Sequence, residues 1–238
     1  MPLVPKVVLG VAAHPDDLDF GAGGTVAALA KQGAEVYYLI LTDGSSGSSD
    51  RTTTPARVRD ARRAEQRAAA GTLGVREVFF CDFPDGALEN TQAVKQEVVR
   101  IIRQLRPDLV ITLDPTEVYS ASAGLINHPD HRAAGQAALD AVYPLARDHM
   151  AFPQLLAKGL EPHTVATALL IQFGQEHTNF GVDITTQFDK KLAAMQAHAS
   201  QFADHSALDA WLRGHAQEAG KLYGHTYAEA FVRIDIMS

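Results

Sequence analysis

The sequence predicts an α/β fold built on a mostly parallel sheet with helices on both faces. Three observations carry that reading. Short apolar runs alternate with longer helical stretches in four successive strand–helix units, the order that a parallel sheet requires. The apolar runs lack polar alternation, KVVLGVAA at residues 6–13 being the clearest, as expected of strands covered on both sides. The chain has 238 residues, 46% hydrophobic and 21% charged, enough to bury a large core.

The elements follow in order. Residues 6–13 form a first strand that stops at His14-Pro15; Gly21, Gly23 and Gly24 then precede an Ala-rich helix ending near Gln32. Residues 35–41 (EVYYLIL) are a second strand, followed by a Gly/Ser-rich loop from Asp43 to Asp50. A long Arg/Ala/Glu helix covers 55–73, with Gly74 as its C-cap. A strand at 77–81, a loop at 82–90, a helix at 91–105 and a strand at 108–113 (DLVITL) come next. After a loop of small residues at 114–127, the pattern HRAAGQAALDAVY makes 128–143 helical. Beyond it we expect a strand at 165–173, helices at 186–202 and 207–223, and a terminal strand at 230–236. Residues 144–163 hold three prolines and no clear period, which marks them as a candidate lid or excursion. No internal repeat or domain boundary is evident, so residues 1–238 read as one domain.

Composition excludes several functions. A net charge of −7 opposes general attraction to nucleic acid or an anionic membrane. The single cysteine, Cys81, forms no internal disulfide and sits among aromatic and acidic neighbours, so a buried structural thiol in a reducing, cytoplasmic setting is expected. The first eleven residues lack a cleavage motif, and no apolar stretch approaches the ~20 residues a membrane span needs. The arginines at 57, 59, 62, 63 and 67 are interleaved with Asp60 and Glu65, which suggests a salt-bridged solvated face. The glycines at 21, 23 and 24 read as tight-turn residues rather than a dinucleotide fingerprint, because their spacing is wrong and an acidic loop precedes them. Trp211 reads as a core or oligomer contact, and Asp82 and Asp85 as organisers of a loop.

The chemistry gathers at strand ends, where open α/β sheets bind ligands. His14, Asp16 and Asp17 follow the first strand directly; His128, Asp130 and His131 follow the strand at 108–113 after a loop. Proline at 15 stiffens the first turn. Neighbouring carboxylates diverge, so one of Asp16 and Asp17 suits a metal while the other faces substrate. Two histidines three apart at a helix start share a face: one can be a further ligand and the other can stay free near the ion. Imidazole plus carboxylate with an open position suits catalytic zinc.

These residues resemble a known family. Ala13-His14-Pro15-Asp16-Asp17 followed by Gly21-Ala22-Gly23-Gly24-Thr25, together with His128-Pro129-Asp130-His131-Arg132-Ala133-Ala134, is similar to the paired signatures of the LmbE-like/PIG-L N-acetylglucosaminyl deacetylases. Weaker matches at Leu41-Thr42-Asp43-Gly44, Arg63-Ala64-Glu65, Leu73-Gly74-Val75, Asp85-Gly86-Ala87-Leu88, Lys191 and His198-Ala199-Ser200-Gln201 extend the resemblance in family order. It implies a Rossmann-like fold and one divalent ion, usually Zn²⁺, with another transition metal such as Fe²⁺ as an option. It implies His14, Asp17 and His131 as metal ligands, Asp16 as general base, His128 as oxyanion stabiliser or acid, and Asp130 as the partner of His128. It raises a substrate-side role for His198; Arg51, beyond the Gly/Ser loop, is a further candidate to face substrate. The family commonly has Glu after the second Asp, where this chain has Leu18 and then Asp19.

The expected activity is removal of an N-acetyl group from a small GlcNAc-type sugar or conjugate, with no nucleic-acid or membrane partner and with homo-oligomers open. Two alternatives stand beside it: a metal-dependent amidase on a larger thiol or sugar conjugate, and a non-catalytic metal- or sugar-binding module. Specificity is expected in the loops at 44–55, 114–127 and 144–163.

Overall fold

A computed structural model describes residues 3–121, 124–175 and 177–237. Seven strands form one twisted sheet: β1 (Val7–Ala12), β2 (Glu35–Thr42), β3 (Glu77–Phe83), β4 (Leu109–Leu113), β7 (Thr167–Ile171), β8 (Phe180–Asp183) and β9 (Ala228–Asp235). Their order is β3-β2-β1-β4-β7-β9-β8. The pairs β1–β2, β1–β4, β2–β3 and β4–β7 are parallel, and β9 runs antiparallel to both neighbours. The mostly parallel sheet matches the sequence reading. β8 was not expected: it is a four-residue strand containing a glycine, too short for a periodic signal, and it exists only because β9 pairs with it.

Helices α1 (Asp17–Lys31), α2 (Pro55–Leu73), α6 (Phe188–Gln196) and α7 (His205–Tyr223) pack together on one face. Helices α3 (Gln92–Leu105) and α4 (Pro129–Asp140) cover the other. Sandwiched between them, β1 and β4 are inaccessible to solvent along nearly their whole length, which is why their apolar runs show no period of two. Each fully buried Val, Leu or Ile there contributes roughly 1.5–3 kcal/mol. Threonines cap α2 and α3, Thr54 accepting from Arg57 N–H and Thr91 from Val94 N–H.

The glycines after the first strand are helical rather than turn residues, because α1 already starts at Asp17. Their role is close packing: a Cβ on Gly21 would lie 2.4 Å from Ile171 and one on Gly24 2.7 Å from Ile184. The helix expected at 186–202 stops at Gln196. His198 turns inward to Asp19, while Ser200 gives both its N–H and its hydroxyl to Glu65, and these bonds draw the chain out of helical path. α4 likewise ends early, in a π-type turn at Ala141–Leu145 where Tyr143 leaves helical geometry.

The segment 144–163 is not a lid. It carries the short helix α5 (Pro153–Leu156) and packs on the carboxyl end of α3. Arg103, buried in α3, donates to the carbonyls of Leu145, Ala146, Asp148 and Ala151 at 2.7–3.1 Å. His163 bonds the Pro107 carbonyl just before β4. These contacts hold the segment at the amino edge of the sheet, opposite the edge where the candidate ligands emerge. Among the described residues of the loop 114–127, β5 (Tyr119–Ser120) instead pairs antiparallel with β6 (Leu125–Ile126), at the carboxyl edge. Among the described residues no helix is long and apolar enough to cross a membrane.

Candidate metal centre and active site

Strand order reverses between β1 and β4, the topological switch point where ligands bind in open α/β sheets. His14 to Asp17 leave β1 there, and the chain leaving β4 returns there at His128 to His131. Both clusters therefore meet over adjacent strand ends. Donor nitrogens of His14, His128 and His131 lie within 4.8 Å of one another.

The first turn is tied to itself: His14 N–H donates to Asp17 Oδ2 at 2.8 Å. Asp17 faces both His14 and His131, with Oδ1 3.1 Å from His131 Nε2 and Oδ2 3.6 Å from His14 Nδ1. The other nitrogen of each ring is already engaged. His14 Nε2 lies 3.3 Å from Asp130 Oδ2 and 3.2 Å from Asp85 Oδ1. His131 Nδ1 lies 2.8 Å from Asn127 Oδ1. Each imidazole is thus oriented by an outer acceptor and turns its remaining nitrogen toward one shared carboxylate, the arrangement metal-binding histidines adopt.

The electrostatics fit a cation. Burial disfavours a charged His14, yet hydrogen bonds to Asp130, Asp17 and Asp85 outweigh it and push its pKa up to about 12. Burial would raise Asp17, but His131 and His14 hold it well below the usual carboxylate range. In the metal-free protein these carboxylates keep a proton on His14; a divalent ion would take its place. A second acidic grouping, His14 with Asp85 and Asp130, has its carboxylates occupied by backbone N–H groups. Gly86 and Leu88 donate to Asp130 and Ser46 donates to Asp85. Asp130 is therefore a support for His14 rather than the partner of His128 expected from sequence; its approach to His128 Nδ1 is 4.0 Å.

His128 is the N-cap of α4, its Nδ1 accepting the Asp130 N–H at 3.1 Å. Burial, then the neighbouring His14, lower its pKa. The ring is neutral near pH 7, with its proton on Nε2, so it presents a donor. Asp16 occupies the N-cap position of α1 but makes no side-chain cap bond. Its backbone sits at φ 98°, a conformation costing about 1–3 kcal/mol in a non-glycine residue. Helix α2 holds it there: Gln66 Oε1 accepts the Asp16 N–H at 2.8 Å, and Arg62 donates to Pro15 O at 2.8 Å and lies 3.3 Å from Asp16 Oδ2. Burial raises the Asp16 pKa to about 6, against the pull of Arg62.

Arg62 and Gln66 were not foreseen. Arg62 is buried rather than part of a solvated face. A signal existed: both fall in phase with Val58, Ala69 and Leu73, the buried stripe of α2. Gln66 also donates to Asp19, which pairs with His198 at 2.8 Å; Gln66, Asp19 and His198 are wholly inaccessible. His198 therefore lies behind the site and cannot touch substrate. Leu18, where the family commonly has an acid, is in the core, and the neighbouring Asp19 is the buried carboxylate bonded by Gln66 and His198. Arg51 is exposed and does not line the cavity. Cys81 has its thiol pKa pushed up to about 11 by burial, consistent with an inert thiol.

A cavity of about 560 Å³ opens over the cluster. Asp16, Asp17, Asn127, His128 and His131 supply its polar floor, and Phe20, Leu125, Ile126, Phe173, Phe202 and Trp211 line most of the rest. Of the three loops expected to set specificity, only 114–127 contributes lining residues among the described residues. Trp211 faces this cavity and is 48% exposed, so it is not a core residue.

Similarity to known proteins agrees with this site. The PIG-L profile, described as GlcNAc-PI de-N-acetylase, matches residues 9–142. A diacetylchitobiose deacetylase of Thermococcus kodakarensis is 37% identical over 94% of this chain and 81% of its own length. A probable N-acetyl-alpha-D-glucosaminyl L-malate deacetylase 2 of Bacillus cereus is 30% identical over 82% and 83%. Among solved structures, an N,N'-diacetylchitobiose deacetylase from Pyrococcus horikoshii superposes with a TM-score of 0.89 at 31% identity, covering 97% of this chain and 84% of that one. With both signatures meeting at one cavity on this sheet, the chain belongs to the PIG-L family of LmbE-like deacetylases.

Proposed function

We propose that this chain, as one domain over its whole length, is a zinc-dependent N-deacetylase of a GlcNAc-type sugar or sugar conjugate. The observation that carries the reading is Asp16: a carboxylate held in strained backbone beside the donor cluster, at the cavity floor, with a pKa of about 6. A binding module has no need of such a group, whereas a general base near neutrality does.

His14 Nδ1, the Asp17 carboxylate and His131 Nε2 are the nitrogens and oxygens that would hold the ion, because the outer acceptors leave those atoms facing one another. A divalent ion bound there supplies a Lewis acid that polarises the amide carbonyl and lowers the pKa of bound water toward ~7. Asp16 accepts a proton as water oxygen bonds to the carbonyl carbon. His128 Nε2–H donates to the oxyanion that develops, a contribution worth on the order of 10²–10³ in turnover where single donors have been removed elsewhere. The carbon–nitrogen bond then breaks, and the proton held by Asp16 passes to the leaving nitrogen. Acetate and a free amine result.

The test is acetate release by the metal-loaded protein from N-acetylglucosamine and its conjugates. Release that stops in metal-loaded Asp16→Asn supports the reading. Release only from larger acyl conjugates would favour the amidase alternative, and stoichiometric metal without hydrolysis the binding module.

A further inference from the structure

The motif His198-Ala199-Ser200-Gln201 does not reach the cavity. Three of its four side chains instead grip helix α2 and the loop before it. His198 Nε2 lies 2.8 Å from Asp19 Oδ2, and the same oxygen accepts from Gln66 Nε2 at 2.7 Å. Ser200 donates to Glu65, and Gln201 Nε2 donates at 2.9 Å to the carbonyl of Gly47, where a Cβ would meet the Arg62 guanidinium. Glu65, Gln66 and Arg62 all lie on α2, and the last two are the groups that bond Asp16.

The Gln66 amide has one workable direction. Its oxygen must face the Asp16 N–H, and its nitrogen must face the Asp19 carboxylate. Turned over, it would set N–H against N–H and oxygen against oxygen, where Gln66, Asp19 and His198 are wholly inaccessible to water. Asp19 thus fixes the amide, and the His198 Nε2–H fixes Asp19. Removing that donor leaves a buried carboxylate short of a bond, and it can turn and release the amide. Asp16 then loses the acceptor of its N–H, and a non-glycine residue at φ 98° persists only where its surroundings over-determine it. The flanking residues have bonds of their own, His14 N–H to Asp17 Oδ2 and His131 Nδ1 to Asn127 Oδ1. Resting on the deacetylase reading above, we propose that His198 is a positioning residue for Asp16. Acting through Asp19 and Gln66, it keeps the carboxylate of the base at the cavity without bearing on the metal ligands.

In the zinc-loaded enzyme, His198→Leu should lower kcat for acetate release about tenfold to a hundredfold, the loss expected when a reacting group shifts by ~1 Å. KM, and zinc affinity in chelator competition, should stay within about threefold. His198→Gln returns an N–H near the place of Nε2 and should recover most of the loss. Should His198→Leu not fold, His198→Asn, too short to reach Asp19, carries the same expectation. Gln66→Met, similar in size, should match His198→Leu, and the double variant should lose no more than Gln66→Met alone, because the two act in series. Independently of turnover, the Asp16 amide should be protected from hydrogen exchange in the wild type. Its exchange should quicken at least about tenfold in His198→Leu while the amides of β4 keep their protection. The positioning role is overturned if His198→Leu keeps its kcat, if the losses multiply in the double variant, if zinc affinity falls as far as kcat, or if the Asp16 amide stays protected. Absence of acetate release by the wild type from N-acetylglucosamine and its conjugates would instead overturn the deacetylase reading, and the exchange of the Asp16 amide would still decide whether His198 positions it.

Discussion

The chain carries the tripeptide His-Pro-Asp twice, at 14–16 and at 128–130, each time at the carboxyl edge of the sheet and each time leading into a helix. In the first copy the helix begins after the tripeptide, at Asp17; in the second it begins within it, at Pro129. That offset changes every role. His14 lies just past the end of β1, buried against carboxylates, whereas His128 becomes a half-exposed cap whose Nδ1 takes the Asp130 N–H. Asp16 is forced to positive φ and left at the cavity, whereas Asp130 lies in a helical turn, 1% exposed, and reaches back across the site to His14. In the proposed mechanism, identical side chains thus take the parts of ligand and electrophile, of base and support. The starting point of a helix, not the residue type, divides the work.

Exchanging or removing these groups should break that comparison in a graded way. The largest effect is expected at Asp16→Asn: a 10²–10⁴-fold loss of kcat, with metal content unchanged by elemental analysis. His128→Ala follows, with 10²–10³-fold lost from kcat and little change in KM, and about 1 kcal/mol of stability lost with the α4 cap, read by thermal melting. Asp130→Asn, the same chemical change as at Asp16, should act through metal affinity instead. A 10–100-fold weakening in chelator competition is expected, with turnover largely restored by excess zinc. A turnover loss in Asp130→Asn that zinc does not relieve would show the two aspartates to be less different than their geometry.

The pH dependence separates them further. Asp16 must be ionised to act, so kcat/KM should fall tenfold per unit below a limb at or under about 6. The sign for stability is opposite. A carboxyl whose folded pKa is raised destabilises the fold once ionised, so its stabilising contribution is present below the unfolded value and lost as pH rises through about 6. Metal-free Asp16→Asn should therefore melt above metal-free wild type at pH 8, and the gap should close as pH falls from 6 toward 4. A gap that widens on acidification would contradict the strained, desolvated base.

Most of the sheet and the six residues of the two signatures were legible from the chain. Doubly buried strands leave continuous apolar runs, and metal-capable side chains cluster by their spacing. Less legible was whatever depends on a partner distant in sequence. β8 requires β9; the end of α6 requires Asp19 and Glu65; the rigid placement of 144–163 requires Arg103. Arg51 and Arg62 show the same limit within the site. The exposed arginine stands next to the glycine-rich loop in sequence, but the buried one, eleven positions on, is the one that reaches Asp16.

The sequence by itself determined that strands alternate with helices, that ligand-type residues lie just beyond strand ends, and that the family signatures are intact, because these are local patterns of burial and spacing. Tertiary structure alone decided which donors face one another, that Asp130 serves His14, that Gln66 and Arg62 hold the strained Asp16, and that Trp211 faces the cavity. Those outcomes are set by how β1, β4, α2 and α7 pack in three dimensions. A one-dimensional pattern does not encode which side chains share a desolvated space, and there charge and proton affinity are fixed.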